Sequence, residues 1–186
     1  MGPMSRREAL KTGGVALGGL FVLSSGVLAA CARDQGAPAT GMLSRDQQDF
    51  VEEIADTLLP KTAASPGAKE AGAGPAINLL LSDCYEKPAQ ERIVAGLTQL
   101  DERCVKRFDM AFIKLPRKER EAMLRAERAE GKAAPPDTHW FPLMRELSLR
   151  AYFASEVGMT KALRYVMVPG KFVGCVPLAA GQPAWA

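Results

Sequence analysis

Apolar positions recur every three or four residues over most of the chain beyond residue 43, which is the period of an amphipathic helix. The clearest stripe joins Ile93, Leu97, Leu100, Cys104 and Phe108. Alternating β-branched residues, the pattern of a strand, are scarce. The pattern therefore predicts an all-α fold for residues 44–186, a single compact helical domain of about five helices with an extended, irregular C-terminal tail.

The first two helices have recognisable ends. Ser44 and Gln47 have the spacing of a capping box, and the helix that they open ends before Pro60. Residues 60–74 contain too many Pro and Gly residues to be regular. A second helix is predicted to start at Pro75, a good first-turn residue, and to end near Pro88. Its predicted buried side chains are Ile77, Leu80, Leu81 and Cys84.

The third helix carries the Ile93 to Phe108 stripe, and two more helices follow it. Residues 117–131 are dense in Glu, Arg and Ala, which predicts an exposed, charged helix anchored by Met123 and Leu124. Residues 131–139 are predicted to form a loop. Residues 141–156 predict a helix whose apolar positions cover more than one stripe, so it is either central in the core or shared with a partner.

The C-terminal segment changes character. A short helical turn over residues 162–165 leads into residues 166–178, which are apolar but interrupted by Pro and Gly. With no sheet to join, this tail is expected to lie extended over a surface, either its own or a partner's. Trp185 lies near its end, and Trp is enriched at the energetic centres of protein interfaces.

The first 30 residues have the organisation of a bacterial export signal. Arg6 and Arg7 precede a Gly-rich apolar stretch and a small-residue end. The sequence SRREALK at residues 5–11 resembles the twin-arginine consensus and departs from it at Ala9. The apolar stretch is shorter and more interrupted than the ~20 residues of a spanning helix. An ordinary secretory signal with two adjacent arginines is the open alternative.

The end of this signal allows two kinds of processing. The sequence LAAC at residues 28–31 resembles a lipobox, in which Cys31 is acylated and becomes the mature N-terminus. The alternative is cleavage near Ala29-Ala30 without lipidation. Residues 31–43, with Gly, Pro and small side chains, are predicted to form a flexible tether.

The charge of the remaining chain excludes one class of partner. The first 30 residues hold three basic side chains and one acidic one, so the formal net charge of +3 falls to +1 without them. No basic surface for nucleic acid is expected at that charge.

The residue inventory offers little for catalysis. His139 is the single histidine, so a metal site or a nucleophilic triad would depend on it alone. No dinucleotide fingerprint, phosphate-binding loop or haem-attachment motif occurs. The acidic pairs Glu52-Glu53 and Asp101-Glu102 point about 100° apart on helices, which predicts solvated surface. We therefore expect no catalytic residue, no metal and no cofactor in this chain.

The four cysteines have different expected environments. If the second and third helices form an antiparallel pair, Cys84 and Cys104 lie about 20 Å apart along it, too far for a disulfide, and both are predicted to be buried thiols. Cys175 lies in the extended tail. It is the best candidate for a bridge, either to the body of the chain or to a partner.

Several separated blocks resemble the gluconate 2-dehydrogenase subunit 3 family. They are DTLLP at 56–60 with Thr62, PGAKEAG at 66–72, FPL at 141–143, EVGMT at 156–160, ALRY at 162–165, Pro169-Gly170 and Gly174-Cys175. The resemblance extends from about Arg45 to Trp185. It implies a small exported helical subunit without catalytic residues. The implied partner is a large FAD-dependent dehydrogenase subunit that oxidises a sugar or sugar acid and passes electrons to a cytochrome c subunit or another carrier.

Residues and resemblance together predict a periplasmic accessory subunit, held at the membrane face by a lipid or by its partner. It is expected to assist assembly, and export through the twin-arginine translocase, of the FAD subunit. The residues expected to contact the partner are Arg164, Tyr165, Cys175 and Trp185. The alternative is a stand-alone envelope lipoprotein that acts as a binding or structural module.

Overall fold

The computed structural model describes residues 41–168, 170 and 173–185. Within them lie five α-helices: α1 (Arg45–Leu58), α2 (Ala73–Cys84), α3 (Lys87–Phe108), α4 (Arg117–Ala133) and α5 (Trp140–Phe153). A 3₁₀ turn spans Phe112–Lys114 and a π-helical turn spans Gly158–Ala162. The same residues contain no strand, and the all-α prediction is confirmed for them. The predictions for Arg6, Arg7 and Cys31 lie outside the described residues.

The ends of the helices follow local chemistry. The capping box is present, because the Ser44 hydroxyl accepts the Gln47 N–H at 3.3 Å and the Gln47 side chain accepts the Ser44 N–H at 3.0 Å. The start of α2 was predicted two residues too late, since Gly72 caps it with a φ of 68° that favours glycine. The turn predicted at residues 162–165 lies earlier, at Gly158–Ala162.

Helix α5 is the centre of the body. It contacts each of the other four α-helices. Of the two predicted roles for its broad apolar surface, the structure therefore shows the central position in the core. Its buried side chains are Trp140, Phe141, Met144, Leu147, Ser148, Ala151 and Tyr152. It runs from Trp140 and ends at Phe153, three residues before the predicted end.

Gly96 permits the close approach of α3 to α5. A Cβ at this position would lie 2.1 Å from Cγ of the Trp140 indole. The indole therefore rests directly on the α3 backbone. This contact requires a glycine in the middle of α3. In a helix interior, glycine otherwise lowers helix stability by about 1 kcal/mol relative to Ala.

Burial along α2 and α3 corrects one prediction. Cys104 is buried, as predicted, but Cys84 is exposed. Cys84 is the last residue of α2, so the buried stripe of that helix ends at Leu81. Leu80 is half-buried against the core. None of the described helices is both long and apolar enough to cross a membrane.

Candidate partner-binding site

The C-terminal tail leaves the body through a rigid turn. The Ser155 hydroxyl accepts the Gly158 N–H at 3.0 Å, and the Gly158 carbonyl accepts the Leu163 N–H at 2.9 Å. A Cβ on Gly158 would lie 2.0 Å from the Tyr152 carbonyl oxygen. Since that neighbour is backbone, a larger residue would displace the turn. The departure point of the tail is therefore fixed relative to α5.

The tail closes on itself between Arg164 and Trp185. These two residues form an isolated parallel β-bridge, in which the Arg164 N–H donates to the Ala184 carbonyl at 2.8 Å. The Arg164 guanidinium lies over the Trp185 ring, with its central carbon 4.2 Å from the ring centroid. This distance is typical of a cation–π interaction, worth about 0.5–1 kcal/mol at an exposed site. We call this pair the clasp, and residues 165–184 between its ends the tail loop.

The tail loop exposes an unusual share of apolar side chains. Met167, Val168 and Leu178 are 79%, 75% and 83% exposed. Val173 and Val176 are also more than half exposed. Exposed apolar side chains concentrated in one segment favour an interaction site over the scattered single residues of an ordinary surface. Where the structure describes it, the backbone around these side chains is irregular, as predicted.

The structure brings together two of the four predicted contact residues. Arg164 and Trp185 form the clasp, and Tyr165, 42% exposed, follows directly. Cys175 is exposed and free, so it forms no bridge to the body of the chain. It lies within the tail loop, and a bridge from it to a partner stays a prediction.

The sequence blocks at residues 56–60 and 66–72 meet next to α5. The Tyr152 hydroxyl donates to the Pro66 carbonyl at 2.8 Å. One carboxylate oxygen of Asp56 accepts the Lys69 N–H at 3.1 Å. A Cβ on Gly67 would lie 2.6 Å from that same oxygen. Separated blocks are thus held together at the end of α5 from which the tail departs.

One acidic pair is not the solvated surface that was predicted. The Glu53 side chain is only 16% exposed and pairs with Lys69 at 3.1 Å and with Arg120. It therefore ties α1 both to the loop before α2 and to α4. Its neighbour Glu52 has a pKa raised above 4.5, mainly because it is partly buried.

A buried carboxylate on α4 was missed. Glu127 is 2% exposed on a helix that was predicted to be solvated apart from its two apolar anchors. It accepts the Trp140 indole N–H at 2.9 Å and an Arg103 N–H at 2.8 Å. Residue 127 shares a helix face with Met123 and Leu124, and that periodicity is the signal that could have revealed it.

The same carboxylate belongs to a group that resembles a metal site. Ligand atoms of Glu127, Glu130 and His139 all lie within 4.8 Å of one another. However, Arg103 donates to both carboxylates, at 2.8 and 2.9 Å, and its charge opposes a metal ion. The His139 Nδ1 atom accepts the Phe141 N–H at 3.2 Å, so in the neutral ring Nε2 carries the hydrogen. The group is therefore a structural ion-pair network.

The thiols differ in reactivity for physical reasons. Burial raises the pKa of the Cys104 thiol to about 11, so little thiolate exists at neutral pH. Cys84 and Cys175 are exposed. Among the three cysteines that the structure describes, only this exposed pair is accessible to reagents or to a partner's thiol.

Comparison with known proteins identifies one family. The family model described as gluconate 2-dehydrogenase subunit 3 matches residues 45–170, from α1 to the first residues of the tail loop. The block Gly174-Cys175, and the end of the resemblance at Trp185, lie beyond that match. No curated protein and no solved structure matches the chain. Because the family model covers more than half of the chain, the chain belongs to the gluconate 2-dehydrogenase subunit 3 family.

Proposed function

We propose that this chain is a non-catalytic accessory subunit of a flavin-dependent sugar or sugar-acid dehydrogenase complex. Membership of the gluconate 2-dehydrogenase subunit 3 family supports a role as one subunit of such a complex. In this proposal the partner is a large subunit that carries FAD and the activity. This chain supplies the surface on which that subunit assembles.

The clasped tail loop is the observation that carries the proposal. Burying an apolar side chain stabilises a complex by about 25 cal/mol per Å² removed from water. The side chains of Met167, Val168 and Leu178 are available for this because they are 75–83% exposed. The clasp closes the loop before binding, which lowers the entropy that association must offset. The fixed turn at Gly158 also sets the direction in which the loop leaves the body.

The N-terminal sequence supports an export role for the same subunit. A twin-arginine signal suits folded cargo, and the mature chain has no cofactor motif that would require folding before export. In the proposal, Arg6 and Arg7 engage the translocase on behalf of the FAD subunit. The complex then lies in the periplasm, held to the membrane by a lipid on Cys31 or by its partner. A cytochrome c subunit or another carrier accepts the electrons.

The first experiment tests the partnership and the tail loop together. The tagged full chain is purified from its own host, and the flavin released on denaturation is measured per chain. The test variant carries Met167→Asp and Leu178→Asp, which place charges on the tail loop. The matched control carries Leu79→Asp and Val105→Asp, at helix positions that are 47% and 46% exposed.

The proposal predicts flavin with the unaltered chain and with the control, and its loss from the tail-loop variant. Equal retention in both variants would show that the tail loop is not the contact. A monomeric chain without flavin under all conditions would favour the stand-alone lipoprotein.

The export role has a separate test. Replacing Arg6 and Arg7 by Lys weakens a twin-arginine signal while keeping its charge. The proposal predicts that dehydrogenase activity then accumulates in the cytoplasm. Activity that still reaches the periplasm would show that the partner is exported by another route.

A further inference from the structure

A cavity of about 200 Å³ lies between the end of α1, α4 and α5, and none of its lining residues belongs to the tail loop. Its floor includes the buried side chains of Leu124 and Phe141. Three arginines line it, Arg125 and Arg128 from α4 and Arg145 from α5. The cavity therefore combines buried apolar side chains with cationic side chains.

Two of these arginines have no partner. Across the part of the chain that the structure describes, the other arginines each have an ion pair, a hydrogen bond, an aromatic contact or another interaction. Arg128 and Arg145 have none, and both line this cavity. A free guanidinium on a surface is ordinary by itself. Two that line one cavity from different helices, beside the buried side chains of Leu124 and Phe141, indicate a binding site.

The cavity's single carboxylate cannot neutralise these arginines. Glu121 already accepts from Arg117 at 2.9 Å and from Arg125 at 3.2 Å. The Thr57 hydroxyl, also in the wall, donates its hydrogen to the Glu53 carbonyl at 2.7 Å. The guanidinium groups of the cavity that have no partner are therefore those of Arg128 and Arg145. A ligand that satisfies them must present acceptor atoms and negative charge.

The geometry points to a binding site for a small organic carboxylate with an adjacent apolar group. The carboxylate pairs with Arg128 and Arg145, and the apolar group lies against Leu124 and Phe141. The volume is below the roughly 300–1,000 Å³ of pockets that enclose drug-sized ligands. The site therefore fits an aryl- or alkyl-acetic acid and excludes a dinucleotide cofactor. This inference does not depend on the proposed flavoprotein partnership.

Phenylacetate titrated into the full chain tests the site, with nuclear magnetic resonance shifts and calorimetry as readouts. Phenylacetamide has the same shape without the charge, and acetate has the charge without the ring. Arg128→Gln and Arg145→Gln remove one donor group each. Arg107→Gln, an exposed arginine of α3 that does not line the cavity, is the matched control.

Saturable binding of phenylacetate is expected, weakened about tenfold by either cavity substitution and unchanged in the Arg107 variant. Acetate and phenylacetamide are each expected to bind at least about tenfold more weakly, because each lacks one of the two contacts. Equal binding of phenylacetate and phenylacetamide would overturn the role of the arginines. Equal loss in all three variants, or no saturable binding, would overturn the site.

Discussion

Replacing the buried carboxylate of Glu127 is expected to destabilise the fold more than any change on the exposed face of α4. In Glu127→Ala the Trp140 indole N–H loses its acceptor. Trp140 is only 4% exposed, so water cannot readily replace that acceptor. A buried unpaired donor costs about 1–3 kcal/mol, and the lost charged hydrogen bond to Arg103 adds about 1.5–3 kcal/mol before relaxation. Arg103 keeps Glu130, at 2.8 Å, so no isolated buried charge remains. We expect a loss of about 3 kcal/mol in the free energy of unfolding.

Two further single variants and one double-mutant cycle separate the contributions. Glu127→Gln keeps an acceptor for the indole but removes the charge, and about half of the loss is expected. Glu130→Ala removes the other Arg103 partner, whose side chain is 47% exposed, so a loss below about 1 kcal/mol is expected. With Trp140→Phe in the background, the cost of Glu127→Ala should fall by about 1 kcal/mol or more.

Urea unfolding followed by far-ultraviolet circular dichroism measures all these differences, since it does not depend on the tryptophans being replaced. Losses of unfolding free energy that agree within about 0.5 kcal/mol, the usual additivity error, between Glu127→Ala and Glu130→Ala would contradict this expectation. In that case the hydrogen bonds of Glu127 would contribute no more than a surface ion pair.

Three other outcomes follow from the packing and the titrating groups. Gly96→Ala is expected to lower the free energy of unfolding by about 1–3 kcal/mol, because its Cβ would overlap the Trp140 indole; a thermal melt that matches the unaltered chain would contradict this. Burial raises the pKa of Glu52 above 4.5, so its stabilising contribution is present below that pH and is lost as pH rises through the folded pKa. Glu52→Gln should therefore lose less stability than the unaltered chain between pH 4 and pH 7. Melting temperatures that change by the same amount with pH in both proteins would be the contrary result. Cys104, with a pKa of about 11, should resist iodoacetamide at pH 8 until the protein unfolds, whereas the exposed Cys84 should react at once; simultaneous alkylation would refute the burial argument.

The helices could be predicted because their apolar stripes and caps are local features. The Ser44 capping box and the stripe from Ile93 to Cys104 both occur as expected, since each depends on residues within a few turns. The predictions failed where tertiary context decides. Cys84 continues the periodicity of α2 but is exposed, because the helix ends there.

The pattern of hydrophobic and polar positions could not predict the long-range polar contacts. Glu127 lies on the apolar face of its helix, but its partners Arg103 and Trp140 lie on other helices. No sequence periodicity relates residues on three different helices. Arg164 and Trp185 were each expected to meet a partner protein. Their contact with one another was not foreseen, because the tail between them is irregular and has no repeat from which a register could be inferred.

Alkylation of Cys175 tests most directly whether the tail loop is the surface that holds a flavoprotein partner. Cys175 lies in the loop and is exposed, and Cys84 is an exposed thiol on α2 that serves as an internal control. In the isolated chain both should react with iodoacetamide. In the complex that contains flavin, treated with reductant to release any bridge between chains, we expect Cys175 to be protected and Cys84 to react. Equal reactivity of Cys175 in the isolated chain and in the flavin-containing complex would show that the tail loop is not the surface that holds the flavoprotein.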